Sequence, residues 1–163
     1  MVNCAGLTPA STKVICMLSA LFFVDSFAGG FVAQTFLSYY YENRFQLKMS
    51  SIGGLLFMCN IIGGISGVLS SKLVSRIGAM ATMIFTHLPS NIFLLLIAMT
   101  SNSTVAVFLL LGRFCISQMD VPARQTYVSM VVSSEERSAA NGITNIARSV
   151  GLSFAFPIAG YLW

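Results

Sequence analysis

Charge is what this sequence has least of. Asp, Glu, Lys and Arg make up only 9% of its 163 residues, as nine cations and five acids. Soluble domains carry about 25% charged residues. With 56% of the residues hydrophobic, the surface cannot be covered by water-seeking groups, and a soluble fold is excluded. Histidine is nearly absent: His87 stands alone. The cysteines Cys4, Cys16, Cys59 and Cys115 have no CxxC spacing. A zinc site or a disulfide framework needs closer spacing or partner histidines. Cys16, Cys59 and Cys115 lie in apolar runs and read as small apolar residues. No Gly-rich phosphate loop, nucleophile triad or metal constellation occurs, so no enzyme, no cofactor and no metal is expected. The net charge of +4 comes without a basic stripe, so nucleic acid is not an expected partner. The opening MVNCAGLTPASTKV lacks the early basic region and cleavage site of a signal peptide. Residues 1–13 therefore read as a short cytoplasmic tail.

Long apolar runs are what the chain has instead. Crossing a bilayer takes about 20 apolar residues. Five stretches reach that length, at about 14–39, 51–70, 79–100, 104–124 and 143–162. The links YENRFQLK, SKLVSRIG, SNS and SSEERSAANG are short, so residues 14–163 are expected to form a single transmembrane domain in a lipid bilayer. A cytoplasmic N-terminus puts Lys13, Lys72, Arg76, Arg124 and Arg137 inside, and Arg44 and Lys48 outside. That bias follows the positive-inside rule. Tyr39, Tyr40, Tyr41, Tyr161 and Trp163 then fall at outer ends, where aromatic belts sit. NST at Asn102 matches a glycosylation acceptor in a loop too short for ready use.

Ions within spans demand a partner or a wet cavity. At about 1.5 Å per residue, Asp25 lies roughly 16 Å from the inner face. Arg113 lies roughly 14 Å below the outer face of a core about 30 Å thick. Both depths fall near the midplane. Asp120 comes about 6 Å from the inner face and Arg148 about 8 to 13 Å. Two pairs are expected: Asp25 with Arg113 on a substrate or ion pathway, and Asp120 with Arg148 as a structural or gating pair. A locking ion pair is the plainer reading of either. Gly63 and Gly67, four apart, suit close helix packing. His87, beside Pro89, reads as a packing residue.

In order and spacing these features resemble the major facilitator superfamily of secondary transporters. The most specific part is GRFCISQMDVPARQTYVSMVVSSEERSAANGITNIARSVGLSFAFPIAGYL. Arg113 matches the Arg of the family's fourth helix in either half, and Arg137 with Ala139 matches a PxxRGxA-like cytoplasmic loop. SKLVSRIG keeps Arg76 and Gly78 of the family's Gly-x3-Asp-Arg-x-Gly loop, with Ser75 in place of the Asp. The resemblance implies an all-α membrane protein whose five transmembrane helices form an incomplete major-facilitator-type six-helix half bundle. They are most like helices seven to eleven, the C-terminal half, and a one-to-five assignment stays open. It further implies that Asp25 and Arg113 lie on cavity-lining helices, and that Gly63 and Gly67 lie where halves meet.

The function expected is that of a partial or truncated secondary transporter of a small solute, working by alternating access. A proton or other coupling ion and a missing N-terminal half or another chain are the implied partners. The alternative is a non-transporting membrane protein, or half-transporter, that binds a partner through its Gly-rich helix face.

Overall fold

A computed structural model describes residues 8–163; Cys4 and most of the expected tail lie outside them. All regular structure among the described residues is helical: α1 (Pro9–Gly30), α2 (Gln34–Phe45), α3 (Met49–Ile77), α4 (Ala79–Met99), α5 (Ser103–Ser117), α6 (Asp120–Met130) and α7 (Arg137–Leu162). Two of the expected spans are broken rods, with α1 and α2 running over Pro9–Phe45 and α5 and α6 over Ser103–Met130. With α3 and α4, they make four stretches long and apolar enough to cross a membrane. The fifth expected span falls on α7, which is 26 residues long. Arg137, Asn141, Asn145 and Arg148 make its first half polar, and it does not join the four.

Helix ends follow local chemistry more than hydropathy. Helix α1 begins at Pro9, earlier than the expected Val14, because Thr8 serves as N-cap and proline fits the first turn. SKLVSRIG is not a loop: α3 continues to Ile77, since nothing before Gly78 breaks it. Gly78 then turns the chain in one step, at φ 85°, a conformation that side chains resist. Asn102 caps α5, its carboxamide oxygen accepting from the Thr104 amide at 2.9 Å.

The chain divides into two compact units, one comprising residues up to Leu37 and Val128–Trp163, the other Ser38–Tyr127. In the first, α1 packs along α7. The contact is close enough that a Cβ added at Gly151 would lie 2.6 Å from the Phe23 carbonyl oxygen. In the second, α5 packs against both α3 and α4. Buried faces here are small and partly polar: Ser66, Ser70, Thr82, Thr86 and Ser90 are all buried. Phe57, Phe85 and Phe108 are exposed. Such a distribution would be inside out in water. In lipid it is expected, because tails are as apolar as Phe and small residues let helix backbones approach.

Candidate solute site

The stretch QMDVP, Gln118–Pro122, breaks the fourth rod. The Met119 amide turns back to the Ile116 carbonyl at 3.1 Å, so the Cys115 carbonyl loses its usual donor four residues on. Pro122 has no N–H to offer the Gln118 carbonyl. A freed carbonyl at membrane depth needs a replacement donor. Helix α3 supplies one to Cys115, whose carbonyl accepts from the Ser66 hydroxyl, and a second hydroxyl, that of Ser70, donates to the Met119 carbonyl at 2.6 Å. The serines sit four apart, one helical turn, matching the four residues between their acceptors.

The same face of α3 carries the expected packing glycines. A Cβ at Gly63 would come 2.7 Å from Gln118 Cγ, and one at Gly67 would meet the Gln118 carbonyl oxygen at 3.8 Å. Their neighbour is thus the break itself. The missing side chains leave a groove of about 270 Å³, lined by Asn60, Gly63, Gly64, Gly67, Gln118, Val121 and Pro122.

Arg113 lies one turn before this break, half-buried, on α5. Its guanidinium carbon stands 5.6 Å from the Phe114 ring centroid. Tyr41 and Cys59 lie within its electrostatic reach in the same unit. Its Nε is shielded and has no hydrogen-bond partner among the described residues. Tyr41 is itself buried, contrary to its expected place in an aromatic belt, because its hydroxyl donates to the Ala106 carbonyl at 2.7 Å. Tyr39 and Trp163 do stay exposed, and the Trp163 indole donates to the Phe31 carbonyl at 3.1 Å.

The remaining ions find partners close by in their own units. Asp120 pairs with Arg124, one turn further along α6, and both are buried. Arg148 donates from Nε to the Ser26 hydroxyl at 3.1 Å and feels the charge of the adjacent Asp25. Each pair expected from depth would join a residue of one unit to a residue of the other. Within the units, Asp120 and Arg124 stand four apart on one helix, and α1 packed along α7 sets Arg148 within the electrostatic reach of Asp25. The first of these was legible from spacing alone.

Glu136 was not singled out from sequence, and several donors converge on it. Among the described residues its carboxylate accepts from the Thr8 amide, the Ser11 hydroxyl at 2.7 Å and the Ser133 amide at 3.4 Å. Those donors cover it, leaving it 4% exposed. The Ser11 hydroxyl, then the Thr8 amide, hold its carboxyl well below the usual range, at about 2. It ties the start of α1 to the start of α7. The signal available was negative charge near a helix N-terminus, but the helix concerned begins 128 residues away.

Of the cytoplasmic-loop residues, Arg76 is exposed and Gly78 forms the turn. Ser75, in the place of the family's Asp, donates to the Lys72 carbonyl of its own helix at 2.8 Å. Arg137 reaches back to the Ser129 carbonyl at 3.0 Å. His87 lies on an exposed face of α4. No group of three or more potential metal ligands is found among the described residues.

The sequence model of the Major Facilitator Superfamily matches residues 7–156. The chain belongs to the Major Facilitator Superfamily. It is a multi-pass integral membrane protein of this family, whose members are transporters. It is also similar to an uncharacterized membrane protein of Saccharomyces cerevisiae, 29% identical over 164 residues. That match takes in 96% of this chain but spans only 37% of the length of the yeast protein. No solved structure matches.

Proposed function

We propose that this chain is part of a secondary transporter that moves a small solute across a membrane by alternating access. The observation that carries the reading is the family match over residues 7–156. Rocking of helical bundles about a midplane site is the usual working mode of such folds. The chain would supply helices seven to eleven of the C-terminal half. Supporting that choice, the SKLVSRIG turn has Ser75 where an Asp would stand, and its hydroxyl is used up within its own helix. Both units would act together as one transmembrane domain, completed by a further half from the same or another chain. Arg113 would contact the solute and Asp25 would lie on the same pathway, as the route for a coupling ion. Asp120 and Arg148 would serve as gating residues nearer the cytoplasm. Supporting the Arg113 assignment, the residue stands half-buried on α5, one turn before the break, with its guanidinium carbon 5.6 Å from the Phe114 ring centroid.

Gradient-driven uptake of a panel of small solutes by the full-length protein in proteoliposomes tests this reading. At least one solute is expected to accumulate above the level in empty liposomes. Arg113→Ala should then weaken that uptake about tenfold or more, equivalent to about 1.4 kcal/mol of contact. No uptake of any solute, or uptake indifferent to Arg113→Ala, would reject it.

A further inference from the structure

The charges lying within the long helices are matched differently in the two units. In the first, the charge of Asp25 acts on Arg148, whose Nε donates to the Ser26 hydroxyl at 3.1 Å. In the second, Asp120 is committed to Arg124 on its own helix. That unit holds one other acid, Glu42, which is exposed in α2. Arg113 is therefore left without a carboxylate in its unit. The Phe114 ring lies 5.6 Å from its guanidinium carbon, and a phenol and a thiol, Tyr41 and Cys59, lie within its electrostatic reach. The phenol is already engaged, because its proton goes to the Ala106 carbonyl at 2.7 Å. None of these groups carries negative charge at neutral pH.

An embedded guanidinium cannot shed its proton, so it retains its charge and requires an anion. Its geometry says where the anion fits. The Phe114 ring lies against the cation, an arrangement that stabilises it without consuming its N–H donors. Nε is shielded, so the two Nη groups form the end left for a ligand. Two parallel N–H donors in one plane match a carboxylate, which accepts both at once.

Resting on the transporter reading above, we propose that the transported solute carries a carboxylate, bound end-on by the two Nη groups of Arg113. The solute would then supply the negative charge that Arg113's own unit does not. Ammonium solutes would be repelled, and neutral isosteres would leave the cation unpaired.

Ligand-induced thermal stabilisation of the full-length protein in detergent reads this directly, independent of transport. The probes are acetate, benzoate and succinate, each beside its neutral amide, with benzylamine as the cationic control. At least one carboxylate should raise the melting temperature while its amide and benzylamine do not. Arg113→Gln should abolish the shift. Arg113→Lys keeps the charge but loses the planar fork, and should weaken apparent affinity about tenfold. Size-exclusion profiles identify a variant that fails to fold, in which case Arg113→Lys alone decides. No carboxylate shift across the panel, an equal shift from an amide or benzylamine, or a carboxylate shift undiminished in Arg113→Lys and Arg113→Gln would overturn the proposal. The two readings fail separately. Arg113-dependent uptake of a cation or a neutral solute would sink the carboxylate and keep the transporter. Carboxylate binding through Arg113 without uptake into liposomes would do the reverse.

Discussion

Glu136 shows how a single carboxylate can tie two helix starts together through hydrogen bonds, with no ion pair found for it among the described residues. Three donors converge on it, two from the first turn of α1 and its cap and one from its own turn. Because those bonds favour the ionised form, its folded-state value is depressed, to about 2. Its stabilising effect is therefore complete above the ordinary Glu value of 4.5 and is lost as pH falls from there towards 2. Melting temperatures in detergent should decline over that window in the wild type, and the decline should be smaller in Glu136→Gln. Identical acid profiles would remove Glu136 from this role. Arg113 is the opposite case, a charge whose Nε has no hydrogen-bond partner among the described residues.

At the scale of elements, close approach and breaks do the organising. Helices α1 and α7 meet where Gly151 leaves no room for a side chain, with Phe23 O at 2.6 Å and Phe27 N at 3.2 Å from a Cβ there. Backbone cannot step aside as a side-chain tip can. Gly151→Leu should therefore destabilise the protein by about 1–3 kcal/mol, read as a lower detergent melting temperature. An unchanged melt would mean the helices do not touch at that point. The cap of α5 is a milder case. Asn102→Ala removes a side-chain acceptor bonded to the Thr104 and Val105 amides, a loss of about 1 kcal/mol. Asn102→Asp should restore most of it. The NST pattern is thus accounted for by a helix start, whatever else the sequence motif suggests. The break at Gln118–Met119 belongs to this scale too: the Ser66 hydroxyl stands in for the donor lost to the Cys115 carbonyl, so Ser66→Ala should destabilise the fourth rod more than an exposed Ser71→Ala does.

At the scale of the whole molecule, cation placement and family membership both describe a multi-pass membrane protein, and topology is open to direct test. Single cysteines at Ser101 and Ser75, both exposed, should be labelled from outside and from the cytoplasm respectively. Labelling of position 75 from outside, with protection at 101, would invert the orientation. Much of the fold was legible in the sequence because lipid enforces a simple rule: long apolar runs must be helices. Four such runs recur as apolar rods, and the fifth as the more polar α7. What hydropathy could not supply was phase and local competition. It does not see that Pro122 starts a new helix, that Gly78 alone makes a turn, or that Tyr41 has an acceptor inside. Depth along a span puts Asp25 level with Arg113 but says nothing of which faces meet. Within the units, proximity along the chain brings Arg124 to Asp120, and the packing of α1 along α7 brings the charge of Asp25 to bear on Arg148.

The central claim is that Arg113 lies on a pathway open in turn to each side of the membrane. Its most direct test is accessibility. Arg113→Cys would be placed in full-length protein whose native cysteines are replaced by serine, and treated with a membrane-impermeant thiol reagent applied to either face of sealed vesicles. The account predicts modification from both faces, with each rate changed by substrate. A position 113 that reacts from neither face, as one packed against helices or lipid would, contradicts it.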